Sequence, residues 1–419
     1  MIKKILFKLK SVQFQFPLPG RGVGVRSTTM KKIFRSIFFI LNFSFVIFHS
    51  AKAQDSSHLR ISLLTCTPGE ELYSTFGHSA YRVIDSSRSF NDRWRDAVYN
   101  YGTFNFDDDG FYLKFVQGKL LYYVSVEYFG DFKELYQLTN RGITEQVLNL
   151  TAAEKLTIQS FLNNNIKEEN KYYKYDFFFD NCTTRLRDIL KKQSDSAFCQ
   201  VAVMPVGSRF RQAIHQYLDK NHKDWSKLGI DILLGRPCDG VMTAENMQFL
   251  PDNLMKSLDS SSHRMVLSSQ NLYPISNENA RGSFFTPFVV FSMLAIFIVL
   301  LGYTKNKVAQ AFLQGFDGLF FFLTGMLGII LIFMWVGTDH SMTKDNFNLI
   351  WAWPTHTIMA FFVNRKKSWV QKYFKFTAVA LLAVLISWFF LPQQMNNALL
   401  PIVLLLIYRS VKKSFTPMV

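Results

Sequence analysis

Residues 175–188 read Tyr175-Asp176-Phe177-Phe178-Phe179-Asp180-Asn181-Cys182-Thr183-Thr184-Arg185-Leu186-Arg187-Asp188, an aromatic run that turns into a helix at Asn181. Asn is a favoured N-cap, and capping there puts Cys182 in the first helical turn. Free backbone N–H groups and the helix dipole favour a thiolate at that place. The Cys182 amide, which has no intrahelical acceptor, also suits an oxyanion hole. Burial as an inert thiol is the commoner fate of a cysteine, so a chemical role needs a partner. Phe76-Gly77-His78-Ser79-Ala80-Tyr81-Arg82-Val83 supplies one, because His78 opens a strand-like alternation directly after a Gly. Imidazole is the base and acid suited to neutral pH, and a His at the edge of a strand is rigidly held.

Around these two segments the chain alternates as strands do at 59–65, 79–84, 97–106, 120–128 and 143–149. Thr151 with Glu154 forms a capping box that opens a helix carrying Leu156, Ile158, Phe161, Leu162 and Ile166. The Cys182 helix follows at about 182–192, with further helices near 208–219 and 243–258. A Ser-rich stretch at 257–283 reads as a linker. The expectation is an α+β domain over 54–256, then an all-α membrane domain of about five helices over 284–410.

Apolar runs at 284–302, 316–336, 347–363, 374–391 and 397–408 are mostly near the length that crosses a bilayer. If the first runs inward, the inner loops hold Lys305, Lys307, Arg365, Lys366, Lys367, Lys372, Arg409, Lys412 and Lys413, as the positive-inside rule requires. Near the N-terminus, Lys31, Lys32 and Arg35 precede an apolar stretch from Ile37 to Phe48 and Ala51-Lys52-Ala53, the pattern of a cleaved signal peptide. Cleavage is expected after Ala53, with Met30 as the start and residues 1–53 outside the mature fold. The basic residues behind the +16 net charge lie largely beside apolar runs, not in a stripe with base-stacking aromatics, so nucleic-acid binding is not expected. Four cysteines without CxxC or His spacing indicate no metal site. Cys199 and Cys238 are candidates for a disulfide, or equally for two buried thiols.

The chain resembles the Bacteroidetes lipoprotein N-acyltransferase (Lnb) family. The likeness runs through Phe76-Gly77-His78, Tyr99-Asn100-Tyr101-Gly102 with Phe104 and Phe106, Tyr175-Asp176-Phe177 and Asp180-Asn181-Cys182-Thr183-Thr184-Arg185. Thr338-Asp339-His340, followed by Asn346, Asn348, Leu349 and Trp351, extends it into the membrane half. The order of His before Cys is also similar to that of permuted papain-like enzymes, which implies a thiol on a helix packed against a sheet that bears the His.

These resemblances imply a Cys–His acyltransferase, anchored in the inner membrane with its catalytic domain in the periplasm. It would take an acyl group from a phospholipid and pass it to the N-terminal diacylglyceryl cysteine of a lipoprotein. His78 and Cys182 are the expected catalytic pair, with Asn100, ahead of Asp85, as the third residue. Asn181, Arg185 and His340 are candidates for substrate contact. Asp176, Asp180 and Asp188 read equally well as structural ion-pair partners, and His215 and His222 as plain helix residues. No Gly-rich phosphate loop or ligand cluster calls for a cofactor or a metal. The rival enzyme is a tethered cysteine peptidase acting on peptidoglycan, for which one anchor would be enough. A non-catalytic envelope binding protein is the third reading.

Overall fold

Short strands, the central ones buried on both faces, build the first half of the chain. The computed structural model describes residues 55–194, 196–274 and 282–415, so the expected signal peptide lies outside the described residues. The strands are β1 (Leu59–Cys66), β2 (His78–Asp85), β3 (Asp96–Thr103), β4 (Leu121–Tyr128), β5 (Ile143–Leu148), β6 (Tyr172–Lys174) and β7 (Val266–Tyr273). They form one antiparallel sheet in the order β6-β4-β3-β2-β1-β5-β7. Successive side chains point to opposite faces. Ile61, Leu63, Tyr81, Val83, Ala97 and Tyr99 therefore share one face and one core. Leu64, Cys66, Ala80 and Val98 share the other.

Two short helices, α1 (Phe111–Val116) and α2 (Phe129–Leu138), interrupt the strands. Phe132 and Tyr136 of α2 cover the smaller core. The larger one is covered by α3 (Ala152–Asn165), which opens on the expected Thr151–Glu154 capping box, and by α4 (Cys182–Gln193). Then come α5 (Phe210–Lys220), α6 (Asp224–Leu233), α7 (Ala244–Met247) and α8 (Pro251–Asp259). The helix expected over 243–258 is thus two, because Pro251 has no N–H to continue the first and instead opens the second. The stretch 257–283 is not a simple linker: residues 266–273 form edge strand β7 along β5. Its exposed side chains give no apolar alternation by which a strand is read from sequence.

The C-terminal part holds α9 (Pro287–Leu301), α10 (Lys307–Val336), α11 (Thr355–Met359), α12 (Ser368–Ser387) and α13 (Leu400–Ser414). Lys307–Val336 and Ser368–Phe390 are long and apolar enough to cross a bilayer, and α9 is shorter. The run at 347–363 is not one continuous span. It forms a 3-10 turn at Phe347–Ile350 and then the short α11, with Pro354 between them. This broken segment lies so close to α10 that a Cβ on Gly325 would overlap the Thr357 nitrogen.

One end of the bundle gathers the basic loops. Arg409 pairs with Asp317 at 2.6 Å, Lys413 reaches Asn364 at 2.8 Å, and Asn364 reaches the Gln314 carbonyl at 3.0 Å. The other end docks on the sheet domain, where Asn346 and Asn348 donate to carbonyls of α6 and Gln393 to that of Leu234. The cores interpenetrate there, with Met342 among the residues around Phe210 and Leu228 among those around Trp351.

Candidate active site

Cys182 stands where the sequence expects it, at the first position of α4. Asn181 caps through its side chain, Oδ1 accepting from Thr184 N at 2.9 Å, while Thr184 Oγ1 accepts from Asn181 N at 2.8 Å. The cap takes the third amide of the helix and leaves those of Cys182 and Thr183 at the open end. The helix is seated on the sheet by Ser79 Oγ, 3.1 Å from Thr183 Oγ1, and by Tyr81 Oη donating to Leu186 O at 2.7 Å.

The sheet gives way at the point of contact. Gly102 has φ +90°, a conformation that L side chains rarely adopt, and the β3–β4 register shifts between Asn100 and Thr103. A Cβ on Gly102 would lie 3.7 Å from Cys182 Cβ. His78 begins β2, opposite Cys66 of β1, close enough to Cys182 for the two charges to act on each other. Its Nε2 lies 3.1 Å from Asn100 Oδ1. Asn100 is buried and its Nδ2 donates to Glu127. A carboxylate only accepts, so Glu127 orients the amide with its oxygen toward His78. An imidazole facing that oxygen carries its proton on Nε2, which leaves Nδ1 as its acceptor.

Burial alone would push the Cys182 thiol up, but the imidazolium, the hydrogen bond from His78, the Ser79 amide and the Thr183 hydroxyl bring it down to about 7. Burial likewise opposes the charge on His78, yet the thiolate and Asn100 raise it above the ordinary imidazole value. Burial pushes the other thiols up, Cys66 to about 12, Cys199 to about 11 and Cys238 to about 12. Only Cys182 has the character of a nucleophile at neutral pH. All four cysteines are free, so the candidate Cys199–Cys238 disulfide does not form, and Cys199 and Cys238 lie in two different apolar cores.

The model of the Lnb N-terminal periplasmic domain matches residues 49–215, and that of the Lnb transmembrane domain matches 278–417. The chain belongs to the Lnb family. No curated protein and no solved structure matches it. It is a membrane protein with a periplasmic domain, and His78, Asn100, Glu127 and Cys182 all lie within the Lnb periplasmic match. Residues 216–277, with α6 to α8 and β7, fall between the two Lnb matches.

The three residues expected to contact substrate are otherwise engaged. Asn181 is buried, and its Nδ2 donates to Phe177 O at 2.7 Å and Phe249 O at 2.9 Å, so its whole amide serves the cap. Arg185 is paired with Asp180 at 2.7 Å and lies 3.6 Å over the Tyr173 ring. His340 Nε2 meets Val116 O at 3.1 Å, in the contact between the two domains. Asp85, the weaker candidate for the third residue, accepts from Ser87 beyond the far end of β2. Glu127 is a further residue of the site, with no motif to mark it in the sequence. It shares a sheet face with Asn100, but its position follows from the strand register, which one sequence does not give.

Replacing Asn100 by Ala is expected to slow chemistry about tenfold, the value of roughly 1.5 kcal/mol for a hydrogen bond to a charged group. Glu127→Gln is expected to do part of the same by letting the Asn100 amide turn over. A purely structural role would leave the pH profile of Cys182 alkylation in place, whereas a positioning role moves it toward higher pH in both variants.

Proposed function

We propose that this chain is a cysteine acyltransferase of lipoprotein maturation, crossing the inner membrane several times with the sheet domain on the periplasmic side. The observation that carries the reading is the Cys182–His78 pair, with a thiol held near 7, on a domain whose polar contacts tie it to a membrane bundle. Family membership supports a place in lipoprotein processing. The likeness to permuted papain-like enzymes rests on His before Cys and on a thiol at a helix start.

In the first half-reaction the Cys182 thiolate attacks the acyl ester carbonyl of a phospholipid. The C–O bond breaks, His78 gives its proton to the departing lysolipid oxygen, and a thioester remains on Cys182. In the second, the free α-amine of a diacylglyceryl cysteine attacks the thioester and gives a proton to His78, and the thiolate leaves. The amides of Cys182 and Thr183 are suited to the oxyanion in both steps. Donor and acceptor keep their chains in the bilayer, and extracting them would cost about 0.8 kcal/mol per CH2, which is the physical reason for a membrane-bound enzyme.

The test is a host depleted of its own lipoprotein N-acyltransferase. The N-terminal peptide of an abundant lipoprotein is expected to gain one acyl chain by mass spectrometry when the chain is expressed, and none with Cys182→Ala. A well-inserted chain that adds nothing overturns the reading and moves attention to peptidoglycan cleavage.

A further inference from the structure

Beside the thiol, the sheet domain exposes an apolar surface that its own core does not use. Tyr112 is 76% exposed, Leu113 61%, Phe115 51% and Phe106 58%. Tyr73, also exposed, joins them through Phe104, with ring centroids 6.2 Å apart. Asp107, Asp108 and Asp109 interrupt the chain between Phe106 and α1, and Lys119 follows α1. Exposed apolar side chains clustered in this way mark a contact surface.

Its position relative to the bundle is fixed. Asp339 N donates to Gln117 O at 2.9 Å, His340 Nε2 meets Val116 O at 3.1 Å, and Lys174 pairs with Asp339 at 2.6 Å. The C-terminal end of α1 is therefore tied to the loop that begins directly after Val336, the last residue of the long apolar helix α10. That is the level at which a spanning helix leaves the hydrocarbon and at which aromatic side chains favour the bilayer interface.

Rings of the larger core run from the patch to the thiol, Phe111 and Tyr122 among its buried members. Phe111 packs on Phe104 at 5.8 Å, Phe104 on Tyr122 at 5.3 Å and Tyr122 on Tyr175 at 4.3 Å. Tyr175 lies within 3.9 Å of the place where a Gly102 Cβ would be, and Cys182 Cβ within 3.7 Å of the same point.

We propose that α1 and the aromatic turn before it lie in the periplasmic leaflet and that this row of rings guides a lipid acyl chain from the bilayer to Cys182. The guiding role rests on the acyl-transfer reading, whereas insertion of α1 does not. To separate them, Leu113→Cys in a Cys182→Ala background is labelled with an environment-sensitive fluorophore, the other three thiols being buried. Phe90→Cys, in the turn at the far end of β2, is the control. In vesicles of phosphatidylethanolamine and phosphatidylglycerol containing a lipid spin-labelled near the head group, quenching is expected to be several-fold stronger at 113 than at 90. Equal quenching, or protection at 113 that does not depend on the spin-labelled lipid, overturns insertion and points to a protein partner. Leu113→Asp with Phe115→Asp is then expected to lower acylation of the lipoprotein at least tenfold while Cys182 alkylation by iodoacetamide is unchanged. Undiminished acylation overturns the guiding role and leaves the chemistry standing.

Discussion

His78→Ala is expected to remove the nucleophile without removing the thiol. With the imidazolium gone, burial of Cys182 is opposed only by the Ser79 amide and the Thr183 hydroxyl, and its titration moves from about 7 to the ordinary thiol value of 9.0 or above. At pH 7 the thiolate then falls from about half of the molecules to about 1% or less, a factor of roughly fifty or more. Alkylation by iodoacetamide reads this directly, because burial holds the other three thiols protonated. In the unaltered chain the rate should rise with pH through about 7 and then level off. In the variant it should still be rising at pH 9. Acyl transfer loses more, since the proton donor to the leaving oxygen is also absent, a further factor of about 10² to 10⁴. Transfer in the unaltered chain should fall again at alkaline pH as His78 loses its proton, above the ordinary imidazole value because its affinity for the proton is raised. An alkylation profile identical in chain and variant would separate His78 from Cys182 and remove the basis of the proposed chemistry.

How much of this was readable from the chain follows from the range of each interaction. Asn181 next to Cys182 is a local signal, because a cap forms within three residues, and the first-turn position of the thiol follows from it. The strands of the central sheet were readable because one face of each is buried in a continuous core. Edge strands β6 and β7 were not, since β6 has three residues and β7 is exposed along most of its length. The Lys and Arg residues that marked the inner loops do gather at one end of the bundle. The third apolar run misled because composition gives apolar length and not continuity, and Pro354 divides it. Asn181, Arg185 and His340, expected at the substrate, also hold structural contacts of a different range. The Arg185–Asp180 pair is local, whereas His340 meets Val116 and Asn181 meets Phe249 far along the chain, and those two engagements have no local signature.

Arg211→Met is expected to destabilise the junction between the two domains strongly. Arg211 is fully buried and bridges Asp231 at 2.8 Å and Asp239 at 3.0 Å, while its remaining donors reach the carbonyls of Leu234 and Gly235. Asp231 also meets His215 Nε2 at 2.8 Å and accepts from Asn396, in the loop before α13, at 2.9 Å. His215, which reads as a plain helix residue, is thus part of the seam. Without Arg211 two carboxylates are left in a dry interior with too few partners, which costs about 3–5 kcal/mol. For a chain of this size that corresponds to a fall of about 4–7 °C in the unfolding midpoint in detergent. The triple variant Arg211→Met, Asp231→Asn, Asp239→Asn removes the charges together and should recover most of the loss, because a neutral seam owes no desolvation cost for unpaired ions. Acid should weaken the same seam. Burial pushes the Asp231 carboxyl up, but His215 and Arg211 outweigh it and hold the group below the ordinary carboxylate value. A carboxylate with a lowered folded value stabilises fully above its unfolded pKa of about 4, and that contribution disappears as pH falls through the folded value. Proteolysis in the segment joining the domains should therefore accelerate below about pH 4 in the unaltered chain and much less in the triple variant. Equal acid sensitivity in both would place the weak point elsewhere than this buried cluster.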